Sequence, residues 1–114
     1  MAWEVSSRGT EQARMLSLEI KPGENSWRIE ARGEVDLDSV HTLDAALREA
    51  ESSEATEIVL DLSALEFIDS EGLRTVVEAS RRAGRGRLGV VRGSGPVARL
   101  MEVTVLGEIV RFVE

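Results

Sequence analysis

The feature of this sequence with the clearest chemical use is a serine between two acidic residues, the second of which is followed by a glycine. The turn Asp69-Ser70-Glu71-Gly72 follows an apolar strand pattern and leads into a helical one. Free backbone N–H groups and the positive end of a helix dipole meet at such a turn. A hydroxyl there can cap the helix, or it can accept and release a phosphate, which the helix start tolerates. The function of the chain depends on which of these Ser70 does.

Neighbouring carboxylates offer two further possibilities. Asp69 can orient the Ser70 hydroxyl or receive its proton, or it can accept hydrogen bonds from the backbone of the first helical turn. We favour the second role, which needs no partner. Asp36 and Asp38 form a D-x-D pair that could hold a metal, but helix capping and turn formation explain the pair with fewer assumptions.

Catalysis by the chain itself has little support. His41 is the only histidine and cysteine is absent, which excludes disulfides, thiol chemistry and cysteine-ligated metals. Gly93 and Gly95 lack the other parts of a phosphate-binding loop, and Pro96 removes a backbone donor. We therefore predict that the protein is not an enzyme and holds neither a metal nor a cofactor.

Composition limits the class of protein and its partners. A chain of 114 residues is long enough for one domain with one core. Its net charge of −7 disfavours binding to nucleic acid backbones or to an anionic membrane. No apolar run approaches the roughly 20 residues that a membrane helix requires, and residues 1–11 do not resemble a secretory signal. We expect a cytoplasmic protein that neither binds nucleic acid nor inserts directly into a membrane.

Hydrophobic periodicity predicts the first half of the fold. Residues 1–14 are polar and without a sustained period, which indicates a loosely ordered extension before a domain at 15–114. Apolar residues then alternate with polar ones on both sides of the turn at residues 21–25. This pattern predicts a hairpin from about Met15 to Arg32.

The remaining elements alternate between helix and strand. The apolar run at Glu57–Leu62 predicts a central strand that is buried on both faces. The other predictions are a helix at Ser39–Ser52, a helix at Ser70–Ala83 ended by Gly84–Gly86, a strand at Leu88–Val91, a helix from Pro96 that buries Val97, Leu100 and Met101, and a last strand at Ile109–Val113. The order β-β-α-β-α-β-α-β is that of one α/β domain with a central mixed sheet and three helices.

This order also predicts where the working surface lies. Strands joined by single helices run parallel, so their strand-to-helix turns meet at one end of the sheet, where ligands bind. The turns at 33–39, 63–70 and 92–96 should therefore cluster around Ser70. The cluster of Arg81, Arg82, Arg85 and Arg87 falls at the opposite end, where we expect a solvated helix terminus.

Several motifs resemble those of STAS domains in the anti-sigma factor antagonist (anti-anti-sigma factor) family. The resemblance covers 15–114, nearly all of the predicted domain. It is carried by G-E-V-D at Gly33–Asp36, by I-V-L-D-L-S-A-L-E-F-I-D-S-E-G-L at Ile58–Leu73, and by S-G-P-V-A-R-L at Ser94–Leu100. The spacing between these stretches is also similar.

The resemblance implies a regulatory role. Unphosphorylated antagonists of this family bind an anti-sigma factor that is also a serine kinase, which frees the sigma factor. The kinase uses ATP to phosphorylate the serine of a D-S-[ST]-G turn, and a metal-dependent serine phosphatase reverses this. By the resemblance, Ser70 is the phosphoacceptor. The chain departs from the motif at Glu71, which replaces a hydroxyl residue with a carboxylate.

A partner-facing surface follows from the resemblance together with the common end of the strands. Its predicted members are Glu34, Asp36, Asp69, Ser70, Glu71, Arg74 and Ser94. The alternative to a switched antagonist is a non-switching STAS scaffold, such as a subunit of a lipid-transport ATPase or of a stress-signalling assembly. A neighbouring gene for a kinase-like ATPase or a sigma factor would favour the first possibility, and transporter genes would favour the second.

Overall fold

The computed structural model describes residues 2–5, 15–84, 86–102 and 110–113. After three initial strands, helices and strands alternate along the chain. In chain order the elements are β1 (Ala2–Val5), β2 (Leu16–Pro22), β3 (Ser26–Val35), α1 (Val40–Glu51), β4 (Glu57–Ile68), α2 (Ser70–Ala83), β5 (Leu88–Val91), α3 (Pro96–Glu102) and β6 (Arg111–Val113).

The six strands lie in the sheet in the order of the sequence. β1, β2 and β3 pair antiparallel, whereas β3, β4, β5 and β6 pair parallel. The parallel pairs are the ones joined through helices, as connection geometry requires. The predicted fold class, one α/β domain with a mixed sheet and three helices, is confirmed.

The amino terminus differs from the prediction. Residues 2–5 form β1, an edge strand beside β2, instead of part of a loose extension. Residues 6–14 lie outside the described residues, as do Arg85 of the arginine cluster and Ile109 of the predicted last strand.

The interior position of β4 is confirmed, but the strand is longer than predicted. Residues 58–61 pair with both β3 and β5. The strand then continues along β3 to Ile68, with two shifts in register. Such bulges absorb extra residues without ending a strand. Most of the predicted loop at 63–70 is therefore strand, because Leu65 and Ile68 are buried.

The prediction that β4 is buried on both faces is wrong. Ile58, Leu60 and Leu62 are buried, but the intervening Val59 and Asp61 are only partly buried. This alternation arises because the described helices pack on one face of the sheet and leave the other face open. Side chains from all three helices join the strands in one core, namely Leu43, Leu47, Val76, Ala79, Val97 and Met101.

Leu100 does not join that core. α3 has only seven residues and turns Val97, Ala98 and Met101 inward. Leu100 is consequently 37% exposed, contrary to its predicted place in the apolar stripe. No helix among the described residues is long and apolar enough to cross a membrane.

Two arginines at the far end of the sheet are structural. Arg82 donates from Nε and Nη2 to the two carboxylate oxygens of Glu51, at 2.7 and 2.8 Å, and this bond raises the pKa of Arg82. Arg87 donates to the carbonyl oxygens of Ala55, Glu51 and Ser53 at 2.9 to 3.0 Å. The guanidinium groups thus fasten the α1–β4 connection, a role that a solvated helix end would not have.

Candidate functional site

The ends of β3 and β4 are tied together beside Ser70. Val35 and Ile68 pair in the last register position of the two strands. The next backbone N–H, that of Asp69, donates to the carbonyl oxygen of Val35 at 3.1 Å. α2 begins immediately afterwards, at Ser70. The strand ladder therefore fixes the position of the first helical turn.

Asp69 is the cap of α2. Its backbone is extended (φ −93°, ψ −177°), and its Oδ1 accepts a hydrogen bond from the N–H of Gly72 at 2.9 Å. The Asp69 carbonyl oxygen also accepts the N–H of Leu73 at 3.0 Å. The bond from Gly72 satisfies a donor that a helix start leaves free, and the bond from Leu73 is the first of the helix's own i→i−4 bonds, so the backbone-capping role predicted for Asp69 is confirmed.

Ser70 is therefore not the cap. It is the first residue of α2 and is exposed. Within the described part of the chain, its hydroxyl has no hydrogen-bond partner. The serine stands at the positive end of a 14-residue helix, and the fold makes no use of its side chain.

Close packing of α2 against the strand ends explains why the turn has a glycine at position 72. Gly72 is buried where α2 crosses the strand ends. A methyl group placed on it would lie 2.5 Å from Cγ1 of Ile68 and 2.9 Å from Cγ1 of Val35. Both distances are shorter than a carbon–carbon contact allows. The absence of a side chain lets the helix start close to the sheet.

The β3–α1 turn lies next to the Ser70 turn and is held by its own side chains. Asp36 Oδ1 accepts the N–H of Asp38 at 3.1 Å. The hydroxyl of Ser39, which is fully buried, accepts the N–H of Asp36 at 3.1 Å and lies 3.3 Å from the carbonyl oxygen of Glu34. Asp36 therefore stabilises a turn, as predicted. Within the described ranges no group of three His, Asp or Glu residues could hold a metal ion.

We name the junction of these two turns the Ser70 corner, made of residues 35–39 and 66–74. Glu71 and Arg74 lie on its exposed helical side. Arg74 reaches Glu71 at 3.7 Å and Glu78 at 3.2 Å, although its side chain remains 66% exposed. Because both partners are carboxylates, the positive charge of Arg74 is largely balanced by its own helix.

Glu34 and Ser94 differ in their surroundings from the other predicted surface residues. Glu34 is only 5% exposed, although Phe67, its register partner on β4, is 43% exposed. Ser94 follows Gly93, where a methyl group would lie 2.7 Å from Cβ of Ser63. Since β4 runs well past the end of β5, the β5–α3 turn meets β4 at Ser63, seven residues before Ser70.

The chain can now be compared with known proteins. Residues 20–112 match the family described as Mlab, STAS domain. The chain belongs to the STAS domain family.

The curated relatives of this STAS domain include the anti-sigma-F factor antagonist RsfB of Mycobacterium tuberculosis. The two are 41% identical over 64 residues, which make up 54% of this chain and 52% of RsfB. The matched segment thus spans about half the length of that relative.

Solved structures resemble this chain over most of the domain. Their sequence identities are low, so the resemblance concerns the fold alone. An anti-sigma factor antagonist from Mycobacterium paratuberculosis gives a TM-score of 0.77 at 24% identity, covering 85% of this chain and 84% of that one. Unphosphorylated SpoIIAA gives 0.69 at 23% identity over 85% and 88% of the two chains. Phosphorylated Bacillus SpoIIAA gives 0.63 at 22% identity over 85% and 91%.

Two apolar residues of the Ser70 corner of this STAS domain escaped the sequence analysis. Leu37 is 72% exposed and Phe67 is 43% exposed. Leu37 stands between two aspartates, a pattern that is typical of an exposed turn. Phe67 has no such signal, because a phenylalanine in an apolar strand pattern normally points into the core.

The open face of the sheet carries a separate polar network. Arg28 donates to Glu30 at 2.9 Å and to Asp61 at 2.6 Å, and Ser63 donates to Asp61 through its N–H and its hydroxyl. The bond from Arg28 lowers the pKa of Glu30. Burial acts to raise the pKa of Asp61, but the bonds from Ser63 and Arg28 outweigh it and lower that pKa.

Proposed function

We propose that this STAS domain is an anti-sigma factor antagonist that works by partner switching. The unphosphorylated domain binds an anti-sigma factor with serine kinase activity and frees the sigma factor. Phosphorylation of Ser70 breaks the complex, and a serine phosphatase restores the binding form. Since sigma factors act on transcription, the protein would work in the cytoplasm.

The proposal rests on the separate roles of Asp69 and Ser70 at the start of α2. Asp69 caps α2 through its bond to Gly72, so the exposed Ser70 hydroxyl is not needed for capping. A kinase can therefore modify Ser70 without removing any bond that holds the helix. The local match to RsfB, a named antagonist, supports the proposal independently, as does the fold shared with a protein solved in phosphorylated form.

The chemistry needs little from the domain itself. The terminal phosphoryl group of ATP passes to Oγ of Ser70, ADP leaves, and the hydroxyl proton goes to a base. Because the carboxylate of Asp69 is engaged with Gly72, we expect that base to come from the kinase. The domain is thus a substrate and a binding module, not a catalyst.

A phosphate on Ser70 would act mainly on the partner. It adds about 1.5 to 2 negative charges beside the exposed Glu71 and close to Asp69. The dipole of α2 stabilises that charge locally, and the side chains below Gly72 keep their packing. The complex breaks because the interface must hold and desolvate the added charge, while the domain stays folded.

The test is incubation of the wild-type domain with the anti-sigma-factor kinases of its source organism and ATP, followed by intact mass measurement and peptide mapping. One phosphate on Ser70 is expected. Ser70→Ala should bind the kinase unmodified, and Ser70→Asp should bind more weakly with an unchanged circular dichroism spectrum. Ser63→Ala, which alters another exposed serine, is the matched control and should be phosphorylated normally.

Other results would contradict the proposal in different ways. Phosphate on Ser63, Ser80 or Ser94 would overturn the assignment of Ser70. Absence of phosphate from every kinase tested, with binding indifferent to Ser70→Asp, would favour the non-switching scaffold and point to Glu71 as the reason.

A further inference from the structure

We infer that Leu37 and Phe67 form the apolar anchor by which the Ser70 corner docks on the anti-sigma factor. The carboxylates around the pair select a partner surface of apolar side chains ringed by Lys or Arg. The inference rests on the proposed function for the identity of the partner, and it assigns the contact that provides the affinity.

The exposure of the pair is the first observation. Among the described residues, the large apolar side chains left exposed are Leu37 (72%), Phe67 (43%) and Leu100 (37%). A single exposed leucine needs no explanation, but neighbouring ones mark contact surfaces. Two of these three belong to the corner that holds Ser70, and Leu100 is on α3.

Leu37 and Phe67 belong to two backbone segments that meet at Glu34. Phe67 pairs in register with Glu34. The β3–α1 turn folds back on the same residue, since the Ser39 hydroxyl lies 3.3 Å from the carbonyl oxygen of Glu34. Leu37 sits inside that turn, and Phe67 is three residues before Ser70 in the chain.

Both side chains are carried by backbone that is already ordered. The turn of Leu37 is closed by the Asp36–Asp38 and Asp36–Ser39 bonds, each 3.1 Å long. Phe67 belongs to the ladder between β3 and β4. Anchors that are positioned before binding lose little conformational entropy when they are buried. A pair of such residues can therefore form the centre of an interface.

The surrounding charge identifies the occupant. Leu37 lies between Asp36 and Asp38, and Phe67 follows Glu66 in sequence. Asp69 and Glu71 add to this acidic rim, and Arg74 is held between two carboxylates of its own helix. Basic residues on the partner would complement this rim. A second copy of the chain would bring two acidic rims together, so a homodimer through this corner is disfavoured.

The position of the anchor also explains how a phosphate breaks the complex. Burial of Leu37 and Phe67 removes water from the rim on which Ser70 stands. A phosphate dianion there, beside Glu71, would lose hydration on burial, and Arg74 one turn further along α2 is already shared between Glu71 and Glu78. Phosphorylation therefore prevents the anchor from being buried.

The experiment measures affinity for the anti-sigma-factor kinases of the source organism, each purified and titrated singly by calorimetry without ATP. We expect Leu37→Ser and Phe67→Ser each to weaken binding about tenfold or more. The matched control Leu100→Ser should leave the affinity nearly unchanged. Wild-type affinity should fall as salt rises, because the rim is charged. Thermal unfolding of each variant gives a separate readout, and Leu37→Ser should unfold like the wild type.

The possible failures are distinguishable. If the wild type binds and both corner variants bind equally well, the anchor is overturned while the proposed function stands. An equal loss with Leu100→Ser would also overturn it, because the contact would then not be centred on the corner. If Leu37→Ser converts a dimer into a monomer with unchanged kinase affinity, the occupant is a second copy. If the wild type binds none of the kinases, both the proposed function and the anchor fail.

Discussion

The Oδ1 atom of Asp69 lies 2.9 Å from the backbone nitrogen of Gly72, and this bond separates two roles that one serine could have combined. Asp69 stabilises the start of α2, whereas Ser70 remains exposed at its first position. Modification at Ser70 can thus change the surface without changing the fold.

Asp69 and Ser70 should therefore differ sharply when each is replaced by alanine. Asp69→Ala is expected to lower the free energy of unfolding by about 1 kcal/mol, the usual cost of a lost cap. Ser70→Ala should change it by only a few tenths of a kcal/mol, because no bond is lost. Urea unfolding of both variants measures the difference. Equal losses would show that the Ser70 hydroxyl helps to cap the helix.

Gly72→Ala should destabilise the domain through overpacking. The added methyl group would meet Ile68 and Val35 at 2.5 and 2.9 Å, and such strain costs about 1 to 3 kcal/mol. The matched control is Gly95→Ala, since nothing lies within 4 Å of a methyl group at that position. Thermal unfolding should show a lowered Tm for the first variant alone. A Gly72→Ala protein as stable as the control would mean that α2 can move away from the sheet.

Arg87→Lys should be costly although the charge is kept. A single ammonium cannot reproduce the three guanidinium bonds to the carbonyl oxygens of Glu51, Ser53 and Ala55. With these part-buried carbonyl groups left without their donors, a total loss of about 1 to 3 kcal/mol in the free energy of unfolding is expected. Arg81→Lys, at an exposed position of α2, is the control for chemical denaturation. Similar unfolding midpoints for the two variants would contradict a structural role for Arg87.

Acid should weaken the network on the open face of the sheet. The folded-state pKa values of Glu30 and Asp61 are lowered, so their stabilisation is present above the unfolded values near pH 4. It is lost as the pH falls through the lower folded values. Between pH 7 and 5 this contribution should stay constant, and below about pH 4 it should disappear.

A series of Tm measurements against pH, for the wild type and for Asp61→Asn, checks this. The variant should be less stable at pH 7 and should lose less stability below pH 4. Parallel curves for the two proteins would show that Asp61 does not contribute to the acid transition.

Glu71 should slow phosphorylation of Ser70 if the proposed function is correct. Its exposed carboxylate lies next to the acceptor and opposes the approach of the ATP phosphates. Glu71→Ser should raise the initial rate severalfold in a kinase assay followed by intact mass. Glu78→Ser, about two helical turns further along α2 from Ser70, is the control. An unchanged rate for Glu71→Ser would remove the electrostatic argument.

Local patterns were enough to predict most elements of this domain. α1 and α2 lie where apolar periodicity placed them, and Pro96 opens α3. The capping role of Asp69 could also be predicted, because a carboxylate three residues before a backbone donor at a helix start is a local arrangement. Such features depend on neighbours in sequence, which the sequence itself supplies.

Features that depend on contacts between distant segments could not be predicted from local sequence patterns. β4 continues to Ile68 because β3 offers it a ladder, although Ser63 and Glu66 look like turn residues. Glu34 is buried although it is charged, and the turn at Gly93 meets β4 at Ser63 because β5 ends early. Each of these outcomes is decided by strand length and register between segments far apart in the chain.

Periodicity and local hydrogen bonding were enough to predict the order of elements from β2 onward, the class of the fold and the turn that presents a serine. The three-dimensional packing was needed to show that the described helices cover one face of the sheet and that Ser70 does not cap α2. It alone also decided that Leu37 and Phe67 are exposed. The physical reason is that exposure is a property of the packed molecule: the same apolar residue is core or surface according to what lies against it.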